Sequence, residues 1–197
     1  MSDTSNGYDA IAAEFIAGRG DIKTRGIAVG VRAVRAWAET LQPGSAVLDL
    51  GCGPGDPITH VLIDAGLAVY GIDASSRMVD AFRARFPGVP VECNSVEQSD
   101  FFGRQFDGVI AWGLLFLLQP EVQAQLIGKV AHALAPDGRF LFTAPRQACE
   151  WSDAMTGLRS ESLGADAYRR LLEEAGLALI DETEDEGENH YYMSLKP

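Results

Sequence analysis

The sequence lacks the features that mark several classes of protein. Its cysteines, Cys52, Cys93 and Cys149, have no C-x-x-C spacing, so neither a disulfide framework nor a zinc site is indicated. The longest apolar run, Ala111 to Leu118, is far below the roughly 18 residues that a membrane span needs. The N-terminal stretch MSDTSNGYDAIAAEF lacks the basic start and unbroken apolar run of a signal peptide. We therefore expect a cytoplasmic protein with no bound metal and no membrane partner.

Positive charge is also scarce. Lys and Arg number 16 against 28 Asp and Glu, which gives a formal net charge of −12. Nucleic acids and anionic lipids are bound by clustered cations, and no run of Lys or Arg occurs here, so we expect no nucleic acid partner. The rest of the composition, 47% hydrophobic and 22% charged residues over 197 positions, is typical of one globular domain.

Short apolar runs alternate with helical patterns along the chain, which predicts βαβ units and a mainly parallel sheet. Seven strands are predicted, in the order AVLDL, LAVYGID, VPVEC, FDGVIAW, RFLFTAP, LALIDET and YYMSL. Helices are predicted at about 8–15, 27–37 and 57–65, after Ser75, after Pro120 and around 168–175, and residues 146–164 are predicted to be irregular. The connection between the last two strands is short, so we expect them to be antiparallel neighbours.

The most informative segment is DLGCGPG, residues 49–55, at the end of the first predicted strand. Its glycines allow a sharp turn and a close approach of ligand to backbone, at the sheet edge where α/β proteins bind ligands. The spacing G-x-G-x-G departs from the dinucleotide pattern G-x-G-x-x-G. Asp49 suits the ammonium of an amino-acid ligand, and Asp73, which ends the second strand, can accept hydrogen bonds from ribose hydroxyls. The pattern therefore disfavours a dinucleotide-binding oxidoreductase.

The segments VLDLGCGPG, YGIDAS, CNSVEQSDF, FDGVIAWGLLFLL and LAPDGRFLFTAP together resemble the class I S-adenosylmethionine-dependent methyltransferases of small-molecule type. YDAIAAEF is similar to the lead-in helix of that family. The resemblance runs from about Tyr8 to Leu195. It implies an α/β fold with a Rossmann-like, doubly wound seven-stranded sheet in the order 3-2-1-4-5-7-6, with strand 7 antiparallel. It also implies one methyltransferase domain over 1–197, with an N-terminal helical lid at 1–40 and a core at 45–197.

The resemblance implies a set of residues that bind S-adenosylmethionine and its product S-adenosylhomocysteine. Asp49, Gly51 and Gly53 are expected at the methionine part of the cofactor, and Asp73 at the ribose. The other implied cofactor residues are Tyr8, Cys52, Ala74, Met78, Ser95, Val96, Glu97, Ala111 and Trp112. Ser95 stands where many members have Asp, so the backbone of Val96 is the expected contact at the adenine edge.

The expected reaction is methyl transfer to an O, N or S atom of a small-molecule acceptor by direct in-line displacement, which depends on alignment and exclusion of water. A reversed last strand begins at the carboxyl-end face of the sheet, which makes His190 a candidate general base. The candidate substrate-binding residues are Trp112, Arg146, Trp151, His190 and Tyr191. A structural role for His190 stays open. So do a macromolecular (RNA or protein) acceptor, an inactive cofactor-binding module and the oligomeric state.

Overall fold

The computed structural model describes residues 4–19 and 29–197. Its strands are β1 Ala46–Leu50, β2 Ala68–Asp73, β3 Val91–Cys93, β4 Phe106–Ala111, β5 Leu134–Thr143, β6 Cys149–Ser152, β7 Arg159–Ser162, β8 Ala178–Glu184 and β9 His190–Leu195. Seven of them form one sheet in the order β3-β2-β1-β4-β5-β9-β8. The pairs among β1 to β5 are parallel, and β9 is antiparallel to both neighbours. The predicted fold and strand order are confirmed.

The helices are α1 Ala12–Arg19, α2 Val31–Ala38, α3 Ile58–Asp64, α4 Ser76–Arg85, α5 Pro120–Ala133 and α6 Ala165–Glu174. None in the described ranges has the length and apolar character to cross a bilayer. The first helix begins at Ala12 and not at Tyr8, because Asn6 and Gly7 have positive φ angles of 52° and 80° and start a turn. The predicted start of the second helix, at Ile27, lies outside the described residues.

Two apolar cores lie on opposite faces of the sheet. Every residue of β1 is buried, and alternate side chains point to opposite faces. Leu48 packs in the core that includes Ile127 of α5, whereas Val47 packs in the core that includes Trp37 of α2 and residues of α3. Helices on both faces of a parallel sheet require strands that are apolar on both sides. This layering leaves the carboxyl ends of the strands free to form a site.

Residues 146–164, predicted to be irregular, contain the two-stranded antiparallel ribbon of β6 and β7. The ribbon is joined to the main fold by the Ser162 hydroxyl, which donates to the Pro145 carbonyl at 2.6 Å. It packs on the single 3₁₀ turn Leu115–Leu117 that follows β4. Short polar strands such as these lack the apolar alternation from which strands are predicted. The ribbon thereby borders the region beyond β4.

Candidate functional site

A cleft lies beyond the carboxyl ends of the parallel strands, where the sequence predicts the site. It contains about 940 Å³ of empty space, part of which is open to solvent. Every predicted cofactor residue except Ala111 lines it, namely Tyr8, Asp49, Gly51, Cys52, Gly53, Asp73, Ala74, Met78, Ser95, Val96, Glu97 and Trp112. Ala111 is fully buried in the core between the sheet and the α5 side, because its side chain points into the core and not beyond the strand end.

The glycine-rich loop after β1 is held against the end of β2. Gly51 and Gly53 have φ angles of 68° and 55°, conformations that favour glycine. The N–H groups of Gly51 and Cys52 donate to the Ile72 carbonyl at 2.8 and 3.1 Å, and the Gly53 N–H donates to the Asp73 carboxylate at 2.8 Å. A Cβ added at Gly53 would meet no atom within 4 Å. The loop is therefore fixed while its cleft side stays open to a ligand.

Asp49 is a buried carboxylate in the wall of the cleft. Its residue is 2% exposed, and its Oδ2 accepts a hydrogen bond from the Thr59 hydroxyl at 2.6 Å. Burial raises the pKa of Asp49 to about 7. The nearby charge of Asp73 also raises this pKa, whereas the hydrogen bond from Thr59 lowers it. A carboxylate has about four acceptor positions. Asp49 can therefore accept further hydrogen bonds from a cationic group in the cleft.

Asp73 ends β2 and has both carboxylate oxygens oriented by backbone groups. Oδ1 accepts from the Ser75 N–H at 2.8 Å, and Oδ2 accepts from the Gly53 N–H. Burial raises the pKa of Asp73, although these two hydrogen bonds lower it. Met78, which is 2% exposed, and Ala74 form the adjoining apolar wall. A fixed acceptor beside an apolar wall suits a ribose with an attached base.

The N-terminal segment extends across the cleft, which it lines with Thr4, Ser5, Asn6, Tyr8 and Phe15. On one side, Asp9 Oδ1 accepts from the Ser75 hydroxyl at 2.8 Å and from the Arg77 N–H at 3.1 Å, at the start of α4. On the other, the Tyr8 hydroxyl donates to Asp153 Oδ2 at 3.2 Å, in the turn between β6 and β7. The described part of the predicted lid therefore contacts both sides of the cleft.

Trp112 forms the wall beyond β4, together with Gly113, Leu114, Leu117 and Leu118. Its indole Nε1 donates to the Tyr191 hydroxyl at 2.9 Å. That hydroxyl in turn donates to Asp185 Oδ2 at 2.7 Å, in the turn between β8 and β9. Tyr191 itself is fully buried and does not line the cleft. The β8–β9 turn is therefore linked to the cleft through Trp112.

The prediction that His190 acts at the cleft is not supported by its position. His190 does not line the cleft. Its Nε2 lies 3.2 Å from Glu182 Oε2, and its ring packs edge-on against Tyr192 at a centroid distance of 4.8 Å. Alternation along β9 turns His190 and Tyr192 to one face of the sheet and Tyr191 to the other. The side chain of His190 therefore points to the face with Tyr192 and Glu182 and not into the cleft.

Arg146 and Trp151, predicted to bind substrate, do not line the cleft either. The side chain of Arg146 is exposed, and its carbonyl accepts from the Ala165 N–H at 2.9 Å. Trp151 lies in the β6–β7 ribbon, with its ring centroid 5.4 Å from that of Phe116. Trp151 therefore supports the turn after β4 from outside. Of the predicted substrate residues, the structure brings only Trp112 to the cleft.

Several residues line the cleft that the sequence does not predict to lie there. They are Thr4, Ser5, Asn6, Phe15, Pro54, Asp56, Ile58, Ile72, Gly113, Leu114, Leu117 and Leu118. The leucines belong to the apolar segment after Trp112, and a wall of this kind could be inferred from that segment. The polar run at 4–6 has no periodicity or charge pattern that would predict a contact.

Comparison with protein families adds a separate observation. Residues 47–138 match a family model described as a methyltransferase domain. The match covers just under half of the chain. The matched range begins in β1 and ends in β5, so it contains the glycine-rich loop, Asp73 and Trp112. The resemblance predicted from the sequence is confirmed for this part of the chain.

Individual proteins similar to the methyltransferase domain agree with this assignment. N-demethylindolmycin N-methyltransferase of Streptomyces griseus is 31% identical over 94 residues, which are 46% of this chain and 40% of that protein. The chain spans about half the length of the curated relatives that it matches.

Solved structures share the fold. Magnesium protoporphyrin IX methyltransferase of Synechocystis has a TM-score of 0.76 at 19% identity, with both chains fully covered. The 1,6-didemethyltoxoflavin-N1-methyltransferase of Burkholderia thailandensis has a TM-score of 0.72 at 20% identity and covers 98% of this chain and 90% of its own.

Proposed function

We propose that the chain binds S-adenosylmethionine in the cleft and transfers its methyl group to a small-molecule acceptor. One observation carries the proposal: two carboxylates, the buried Asp49 and the half-buried Asp73, lie on either side of a glycine-rich loop and line one cleft. A ligand with an ammonium at one end and a ribose at the other matches this pair. The matched methyltransferase domain contains all three features.

The residues present fit such a cofactor. Asp49 has a single hydrogen bond from Thr59 and remaining capacity for an ammonium. Asp73 has two oxygens fixed by N–H groups and further lone pairs for ribose hydroxyls. The space beside Gly53 is open, so the loop can lie close to the amino-acid part. Bound S-adenosylmethionine supplies an electrophilic methyl group on a sulfonium.

The chain contributes enclosure and alignment. Tyr8 and Phe15 of the N-terminal segment and Trp112 of the opposite wall line the cleft, and we expect their rings to displace water when the ligands are bound. Water exclusion and alignment of the reacting atoms are what an in-line displacement requires. Among the described residues that line the cleft, none is a histidine, so we assign no general base.

A small-molecule acceptor is supported by the relatives. The similar proteins from Streptomyces griseus, Burkholderia thailandensis and Synechocystis are named for N-demethylindolmycin, 1,6-didemethyltoxoflavin and magnesium protoporphyrin IX. In the structure, Tyr8 lines the cleft and its hydroxyl is held by Asp153, which limits the space for a large acceptor on this side. The proposed acceptor atom is O, N or S.

Calorimetry with S-adenosylhomocysteine and, separately, NAD tests the cofactor. We expect S-adenosylhomocysteine to bind and NAD not to bind; the opposite result would refute the proposal. A screen of small acceptors with methyl-labelled S-adenosylmethionine then tests the reaction, with total RNA and a protein lysate as macromolecular acceptors. Label that enters only RNA or protein would contradict the small-molecule acceptor and leave cofactor binding standing.

A further inference from the structure

The loop from Ser95 to Ser99, between β3 and β4, borders the cleft and is anchored by Glu92. Ser95, Val96 and Glu97 line the cleft. The Glu92 carboxylate accepts from the Ser99 hydroxyl at 2.6 Å. Its other oxygen accepts at 2.8 Å from the amide of Asn94, which precedes the loop. This side of the loop is therefore fixed by side chains of its own neighbourhood.

A lysine from a distant part of the chain holds the other side. Lys129 of α5 donates from Nζ to the carbonyls of Val96 at 2.8 Å and Glu97 at 3.2 Å, and also contacts the Ser99 carbonyl. Its ammonium lies 4.4 Å from the centre of the Phe101 ring. An ammonium has three N–H donors, and three loop carbonyls surround this one. Lys129 therefore restrains three peptide groups at once.

Restraining these carbonyls also fixes the N–H groups of the loop. A peptide group is planar, so the direction of the Val96 carbonyl determines that of the Glu97 N–H. The Ser95 carbonyl accepts from the N–H groups of Gln98 and Ser99 at 3.2 and 2.9 Å, which fixes the Val96 N–H in the same way. Hydrogen bonds weaken steeply with poor alignment. The backbone groups that line this end of the cleft therefore depend on how the loop is held.

We propose that Lys129 is a positioning residue that orients the Val96 and Glu97 backbone for recognition of the adenine of the cofactor. The inference rests on the proposed function and on the family resemblance, which implies that the adenine lies at Val96. Lys129 does not line the cleft. Its effect is on selectivity between bases: N1 of adenine accepts a hydrogen bond, whereas N1 of hypoxanthine carries a hydrogen. A correctly oriented backbone N–H distinguishes the two.

The test compares Lys129→Met with Lys129→Arg, using Lys196→Met as the matched control. Lys196 also donates from Nζ to two backbone carbonyls, of Ala131 at 2.9 Å and Leu134 at 2.7 Å, but away from the cleft. Calorimetry gives the affinity of each protein for S-adenosylhomocysteine and for S-inosylhomocysteine, its hypoxanthine analogue. Circular dichroism and thermal unfolding show whether each variant is folded.

We expect Lys129→Met to bind S-adenosylhomocysteine about tenfold more weakly, a change that corresponds to one well-aligned hydrogen bond. The variant should also lose most of the preference of the wild-type protein for S-adenosylhomocysteine over the inosyl analogue. Lys129→Arg should restore most of the preference, and Lys196→Met should leave it unchanged. If Lys129→Met does not fold, Lys129→Gln, which has two N–H donors on a shorter side chain, should lose part of the preference.

Two results would overturn the inference. The first is a folded Lys129 variant with unchanged affinity and unchanged preference. The second is an equal loss of affinity for both ligands, since that would show general loosening of the fold. If the wild-type protein binds neither ligand, the proposed function itself fails, and this inference fails with it.

Discussion

The buried carboxylate of Asp49 should make cofactor binding depend on pH near neutrality. Burial raises the pKa of Asp49 from 3.8 to about 7, so the carboxyl is about half ionised at pH 7 in the ligand-free protein. Only the ionised form attracts an ammonium, while the ammonium itself stays charged throughout this range. Protons and cofactor therefore compete for the same group.

The size of the effect follows from the raised pKa. A rise in pKa from 3.8 to about 7 means that ionised Asp49 is about 4 kcal/mol less stable in the folded protein than in water, because each pKa unit corresponds to 1.36 kcal/mol. Because the pKa is higher in the folded protein than in the unfolded chain, the carboxyl favours folding at low pH. This stability is lost progressively as pH rises from about 4 to about 7. A bound ammonium offsets part of the cost, so the cofactor should stabilise the protein more at about pH 8 than at about pH 6.

Calorimetry of S-adenosylhomocysteine binding measures this directly. We expect affinity to be about tenfold weaker at about pH 6 than at about pH 8, with release of about one proton on binding at the lower pH. Asp49→Asn should bind more weakly and show little pH dependence. Thr59→Val removes the hydrogen bond to the ionised form, so it should raise the pKa of Asp49 and move the midpoint to higher pH.

The result that would refute this reasoning is an affinity that stays constant across this pH range in the wild-type protein. A pH dependence that persists unchanged in Asp49→Asn would also refute it. In that case the titrating group would be Asp73, whose pKa is raised by burial as well.

Three substitutions test other parts of the site. Asp73→Ala should weaken S-adenosylhomocysteine binding by about 1–3 kcal/mol, the usual loss for a charged hydrogen-bond partner, and a folded variant with unchanged affinity would remove the ribose assignment. Tyr191→Phe deletes the hydroxyl between Trp112 and the β8–β9 turn, so KM for the acceptor should rise about threefold or more; an unaltered KM would show that Trp112 needs no such support. His190→Ala removes the contact with Glu182 and should lower the free energy of unfolding by about 1–3 kcal/mol without loss of turnover. Lost turnover in a folded His190→Ala protein would restore the general-base prediction.

The main sheet could be predicted from the sequence because its strands have strong local signals. An apolar run bounded by turn residues predicts each strand of the main sheet. The short acidic connection between β8 and β9 predicts that these two strands are antiparallel neighbours, as they are. The β6–β7 ribbon could not be predicted from the sequence. Its two strands, which pair from Cys149 with Ser162 onward, are mostly polar and lack an apolar face. The apolar periodicity of Tyr8 and Ala12 predicts a start of α1 that is too early, because periodicity does not reveal the turn at Asn6.

The residues implied to bind the cofactor could be placed at the cleft from the sequence, whereas most of the candidate substrate residues could not. Asp49 and Asp73 are adjacent to glycines at strand ends, where sequence position determines location. The orientation of His190 depends on the register of β9 against β5, in which Tyr191 pairs with Thr143, and a shift of one residue reverses it. The contacts of Lys129 with the Ser95–Ser99 loop join distant segments through a side chain, and no local pattern indicates them.

The attachment of the N-terminal segment at two points has a kinetic consequence. Tyr8 and Asp9 bind parts of the molecule on opposite sides of the cleft, and the side chain of Asp9 is 36% exposed. We expect a ligand that fills the cleft to exchange with solvent faster when one of these contacts opens, as with other segments that close over a site. If this opening limits the residence time of the proposed cofactor and its product, turnover should slow as solvent viscosity rises.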